Sequence, residues 1–261
     1  LSIFSLSPSE VDLARRQRNR LDSMAHEREG QSFQGNRLEP LSRTEPTPKP
    51  QDAEPRWPAF VAVLAAGGLY AALPEVLTMG PRWLFPSVVL ALLIPNIVSH
   101  HTGSHRLNTL IGFTVDAVLT AGLIIALGLL VTALPTKKVT PIALLLAAAS
   151  LWVTNILVFA LWYWRLDAGG PHQRDKRAAH SEGAFLFPQM TMSEAALRQT
   201  GQRRWSPNFV DYLFLAFNTN TAFSPTDVPV LARWAKVLMM VQSLLSLLII
   251  ALLAARAVNI L

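Results

Sequence analysis

Apolar residues run through this chain in long blocks separated by short polar breaks, a pattern that predicts membrane helices. Trp57 to about Leu73 predicts the first span, rich in Ala and Gly, with Arg56 and Trp57 as an interfacial pair at its start. Trp83 to about Ser99 predicts the second, kinked near its end by Pro95, with Asn96 beside it. Leu107 to Leu134 predicts the third, which at roughly 28 residues is long enough to tilt. Pro141 opens a fourth that closes on Trp162, Tyr163 and Trp164, an aromatic girdle at the membrane surface. A last apolar block, Pro229 to Asn259, predicts a final transmembrane helix, with Arg233 and Lys236 in its first turns.

The segments outside these blocks read differently. Residues 1–56 alternate Arg with Asp and Glu and are rich in Pro, Gln and Ser, which predicts a disordered charged tail. Residues 57–165 hold the first four spans, and 166–204 form an extramembrane loop. Within that loop Asp167-Ala168-Gly169-Gly170-Pro171-His172 predicts a tight turn with no helix after it. Arg174, Lys176, Arg177 and His180 predict a basic face near lipid headgroups, and Phe185-Leu186-Phe187-Pro188 a docked apolar knot. Thr191 and Glu194 have capping-box spacing, so a short helix should run to about Gln199.

Composition agrees with the pattern. Of 261 residues 51% are hydrophobic and 15% charged, and the mean hydropathy is +0.31. Soluble domains carry about 25% charged residues. The chain has no cysteine, which excludes disulfides, thiolate metal sites and cysteine nucleophiles. The formal charge of +6 sits mostly in loops, so it speaks to topology and lipid headgroups and not to nucleic acid. The expected setting is a multi-pass protein of a bacterial inner membrane.

Two polar residues stand out inside the spans. Asp116 lies about a third of the way along the third, where a carboxylate must face protein, water or a partner. It reads either as a structural hydrogen-bonding group for Asn155, Thr154 or Asn96, or as a carboxylate that handles ions or protons. Asn155, in the fourth span, is of the kind that joins helices. His101 and His105 have i, i+4 spacing, but Gly103 weakens the helix and no carboxylate is near in sequence. They read as juxtamembrane histidines, so no metal or cofactor is expected. No nucleophile–base–acid order, zinc-protease motif or phosphate-binding glycine loop is present, which argues against an enzyme.

The stretch 205–261 organises the rest. Ser206 and Pro207 predict a helix start, and Phe209, Tyr212, Leu213, Ala216 and Phe217 recur at helical spacing. The pattern then gives way to Asn218-Thr219-Asn220-Thr221, followed by Ser224-Pro225-Thr226-Asp227, where Asp227 predicts the cap of the final helix. A helix of about 13 residues covers roughly 20 Å, short of the roughly 30 Å hydrocarbon layer. The expected geometry is re-entrant, with the helix C-terminus and its partial negative charge beside amides and hydroxyls. The fold class is thus all-α polytopic: about four spans, a short re-entrant helix and a final transmembrane helix.

The order short helix, T-x-T-x-x-x-x-x-D, basic residue, long helix resembles the pore loop and inner helix of tetrameric potassium channels. With Asp227 on the aspartate that closes the family's filter, Thr221 to Thr226 fall on its filter positions. Ser224 and Thr226 replace both glycines and Pro225 the aromatic, so the filter is degenerate. The C-terminal half, with W-V-T-N, D-A-G-G-P-H, F-L-F-P-Q-M-T and A-F-S-P-T-D-V, also resembles a family of bacterial integral membrane proteins without an established activity. The channel likeness implies a homo-oligomer, four copies by analogy, with Asn218, Thr219, Asn220, Thr221, Ser224, Thr226 and Asp227 along a path for a monovalent cation such as K⁺. The alternatives are a non-conducting structural or regulatory membrane protein, and a proton-coupled transporter using Asp116. Positive charge gathers on the side of the tail, Arg106 and the 166–204 loop, which the positive-inside rule makes cytoplasmic. The re-entrant loop would then enter from the cytoplasm, whereas in potassium channels the corresponding loop enters from outside.

Overall fold

The computed structural model describes residues 54–101, 105–134, 139–177, 180, 182–202, 205–225 and 227–258. The charged tail therefore lies almost wholly outside the described residues, as do Thr226 and the side chains of Asn96, His101 and His105. Eight α-helices are described: α1 (Trp57–Ala71), α2 (Leu84–His101), α3 (His105–Ala133), α4 (Pro141–Leu166), α5 (Pro171–Asp175), α6 (Glu194–Gln199), α7 (Phe209–Ala222) and α8 (Arg233–Val258). The only extended pairing among the described residues is a single antiparallel bridge between Phe185 and Val230. Three stretches, Leu107–Ala133 in α3, Pro141–Gly169 along α4 and Arg233–Val258 in α8, are long and apolar enough to cross a membrane. Their length and composition mark an all-helical membrane protein.

Helix α4 is the hub. It packs against α1, α3, α7 and α8, while α2 closes the opposite side against α1 and α3. Four consecutive residues of α4, Val158 to Leu161, are all buried. At 100° per residue they cover every face of the helix, so this part of α4 is surrounded by protein. Thr140 caps its start by accepting from the Ala143 amide, and Pro141 occupies the first position, where a missing N–H costs nothing. The α2–α3 seam depends on Gly122: a Cβ there would run into the ring of Phe85, which stacks on Tyr70 of α1 at 3.9 Å between centroids. Helix α8 is the least enclosed of the long helices, with Val237, Met240, Val241, Leu244, Leu247 and Leu248 exposed along one stripe.

Several sequence expectations need correction at element ends. Helix α7 starts at Phe209, because Asn208 and Asp211 form a full capping box: Asn208 Oδ1 accepts from the Val210 amide at 2.8 Å and Asp211 Oδ2 from the Asn208 amide at 2.8 Å. Ser206 and Pro207 precede it. The polar run Asn218 to Thr221 does not break the helix, which continues to Ala222 and ends on Phe223 in the left-handed conformation. Thr219 and Thr221 return their hydroxyls to the carbonyls of Leu215 and Phe217, at 2.8 and 2.9 Å, so their polarity is absorbed within the helix. Helix α8 starts at Arg233 and not beside Asp227. The Leu186 amide donates to Pro229 O at 2.9 Å and the Leu231 amide to Ala184 O at 2.8 Å, which holds the chain extended there. Ser193, not Thr191, caps α6, and a short helix, α5, does follow the Gly169-Gly170 turn.

Candidate functional site

Two buried polar clusters fasten α7, one at each end. The first lies deep, around the middle of α4, and is built of amides and hydroxyls. Asn155 Nδ2 donates to Asn220 Oδ1 at 2.5 Å and to the Gln242 carbonyl at 3.3 Å. Asn220 Nδ2 in turn donates to Trp152 O at 3.3 Å. Gln242 receives the Tyr163 hydroxyl on Oε1 at 2.6 Å and gives its Nε2 to Ala216 O at 2.8 Å. Ser246 donates to Asn220 O at 2.5 Å. Asn155, Asn220, Gln242 and Ser246 are fully buried, so this network joins α4, α7 and α8 through direct side-chain bonds. The last two carbonyls lie one helical turn apart on α7, and their donors one turn apart on α8.

Those two bonds also fix direction. Ala216–Gln242 and Asn220–Ser246 are both separated by 26 residues, so α7 and α8 lie parallel and in constant register. Two consecutive helices pack parallel only if the link between them travels back along the first. Residues 223–232 do so: they leave α7 at the level of Trp152 and Asn155, and by Val230 pair with Phe185, whose ring touches Tyr163 at 5.3 Å and Tyr212 at 6.2 Å.

The second cluster is charged and sits where α4 ends. Asp167, fully buried, accepts from the Ala184 amide at 2.5 Å and the Tyr212 hydroxyl at 2.6 Å. Arg174 donates to the carbonyls of Trp164 and Asp167 at 2.8 and 3.0 Å and to Glu54 at 2.9 Å, with its guanidinium 5.0 Å from the Tyr212 ring. Trp164 Nε1 donates to the same Glu54. Burial outweighs these partners and pushes the Glu54 carboxyl up from its ordinary value. His180 is buried with Nε2 3.8 Å from Asp167 Oδ2. Burial pushes it down from its ordinary value of 6.5, against the pull of Asp167 and with the help of Arg174 and Arg177. The turn at Ala168, Gly169 and Gly170 runs through three successive positive φ angles and swings Arg174 back under α4. A side chain at Gly170 would meet the Arg165 carbonyl at 2.9 Å.

Asp116 belongs to neither cluster. Its partner is Arg165, whose Nε donates to Oδ2 at 2.6 Å, and not Asn155 or Thr154. Gly112 makes this reach possible, because a Cβ there would collide with the Arg165 guanidinium.

The residues singled out along the chain thus separate. Asn155 and Asn220 meet. Thr219 is buried and bonded within α7, Asn218 is half-buried, and Thr221, Ser224 and Asp227 are exposed. Thr226 is outside the described residues. Gln242 and Ser246 are polar positions one turn apart in the final apolar block, a spacing visible in the sequence. Sequence reasoning missed Tyr163, Arg165, Asp167 and Tyr212 as members of clusters. Asp167, directly after an aromatic girdle and before a glycine pair, was the one signal available. No group of three or more His, Cys, Asp or Glu side chains suited to a metal occurs among the described residues. Comparison with protein-family models, with curated proteins and with solved structures finds no match to this chain.

Proposed function

We propose that this chain is one subunit of an ion-channel-like assembly in a bacterial inner membrane, with α7 and α8 as its pore-loop module and a monovalent cation such as K⁺ as its permeant species. In this reading α1 to α4 are four spans, α7 is re-entrant and α8 is the helix that lines the path. The observation that carries it is the parallel register of α7 and α8, with a link that doubles back from mid-α4 level to Phe185. A helix that stops halfway directs its C-terminal carbonyls, with about half a negative charge, into the low-dielectric layer, where they favour a cation. Irregular backbone at that depth needs protein or water beside it, and in a lone subunit Thr221, Phe223 and Ser224 are exposed. Further copies, four by the potassium-channel resemblance, would cover it and close a ring.

The network changes which oxygens serve. Asn220 and Thr219 are buried inside the subunit, whereas Thr221, Phe223 and Ser224 are exposed, so in this reading the exposed residues and the carbonyls around Phe223 meet the ion. Proteoliposomes containing the oligomer should take up Tl⁺ or K⁺, and Thr221→Ala with Ser224→Ala should alter selectivity or rate by tenfold or so, one 1.4 kcal/mol step in barrier. Absence of flux from an oligomeric sample in sealed vesicles would leave the second reading, a non-conducting scaffold. The same inward bonding of Thr219 and Asn220 favours that reading. The proton-transporter alternative is weaker, because Arg165 already pairs with one oxygen of the Asp116 carboxylate.

A further inference from the structure

A small cavity of about 60 Å³ opens between α1, α3, the end of α4 and the start of α5. Its polar wall is formed by Arg56, Arg165, Asn108 and Thr109, and its floor by the backbone of Gly169 and Gly170. Arg165 is the informative member. Its side chain is 11% exposed, and its Nε is spent on Asp116. Among the described residues the two terminal nitrogens have no hydrogen-bond acceptor; they pass over Gly112, and the residue lines the cavity. The paired N–H donors of a guanidinium match two oxygens of a tetrahedral oxyanion. Ala59, Phe60 and Val63 of α1 and Trp164 supply apolar lining. A cavity lined by a guanidinium with uncommitted donors, an amide and hydrocarbon, at the end of apolar helices, has the chemistry of a phospholipid headgroup seat.

We infer that this cavity binds the phosphate oxyanion of a membrane phospholipid, held by the free fork of Arg165 with Asn108 and Thr109 beside it. The volume is several times the roughly 10–15 Å³ that a single water needs, which leaves room for a small oxyanion. Arg56 and Arg165 are balanced by Asp175 and Asp116, so affinity comes from directed donors more than from net charge. Lys176 and Arg177, which follow α5, add the long-range attraction to an anionic surface. The site stands apart from α7 and α8 and does not depend on any conduction by them.

The test uses the full chain purified in detergent and melted with phosphatidylglycerol, with diacylglycerol of the same acyl chains, or with inorganic phosphate. Phosphatidylglycerol should raise the midpoint by about 4 °C or more near saturation, and diacylglycerol should not. Arg165→Lys keeps a cation for Asp116 but removes the fork, and should abolish the shift. Asn108→Leu leaves the ion pair untouched and should weaken the shift, which covers the case in which the first variant does not fold. An equal shift with inorganic phosphate would assign the site to the free anion, with the same chemistry. Equal shifts with diacylglycerol, no shift at all, or a full shift in both variants would overturn the inference.

Discussion

The two ends of α7 are fastened by opposite means. At its N-terminal end, next to the close of α4, the fastening is ionic: Asp167, Arg174 and Glu54 with Tyr212 and Trp164. At its C-terminal end, near the middle of α4, it is neutral: Asn155, Asn220, Gln242, Ser246 and Tyr163. The difference follows depth. A charge in the hydrocarbon centre costs several kcal/mol even when paired, whereas an amide needs only its few hydrogen bonds met. Near the surface the desolvation cost falls, and a charged group can gather several donors at once. Asp116 and Arg165 fit the same rule, since Arg165 is the next-to-last residue of α4 and extends inward over Gly112.

The ionic end should be the more costly to break. Asp167→Ala leaves the Tyr212 hydroxyl and the Ala184 amide buried without an acceptor, and should cost about 3–5 kcal/mol in denaturant unfolding in detergent. A loss below about 1 kcal/mol would mean that this cluster is not what seats α7. The neutral end should couple more weakly. A double-mutant cycle on Asn155→Ala and Asn220→Ala should return an interaction of about 0.6–1.7 kcal/mol, the range seen for hydrogen bonds between membrane helices. The smallest effect is a pH slope. Because the folded state disfavours the charged form of His180, its contribution is complete above about 6.5 and is lost as pH falls through its lowered folded-state value. His180→Phe should flatten stability between neutral and mildly acidic pH, and an unchanged slope would place the titration elsewhere.

Much of this architecture was legible along the chain, and the failures share one cause. Long apolar blocks announced α3, α4 and α8 within a few residues, because hydrocarbon solvation leaves few alternatives to a helix. Asn218 to Thr221 misled because polarity resembles a break when only local periodicity is visible. Thr219 bonds backward within α7 and Asn220 is satisfied by Trp152 and Asn155, 68 and 65 residues away. The same distance hid the partner of Asp116: Arg165 is 49 residues on, at the edge of another helix. Asn155 could be recognised as interhelical glue, but what it joins depends on the register of three helices.

Ser246 divides α8 into unequal parts. Up to that residue the helix is buttoned to its shorter neighbour at two rungs, and neither can slide or screw without carrying the other. Beyond it the side chains that face the network run out, and the remaining turns are held by the apolar packing of Ile249, Leu252 and Leu253 and by Arg256 reaching the Leu134 carbonyl at the far rim. The roughly three turns between those two fastenings are therefore the part of α8 with the fewest polar ties against bending.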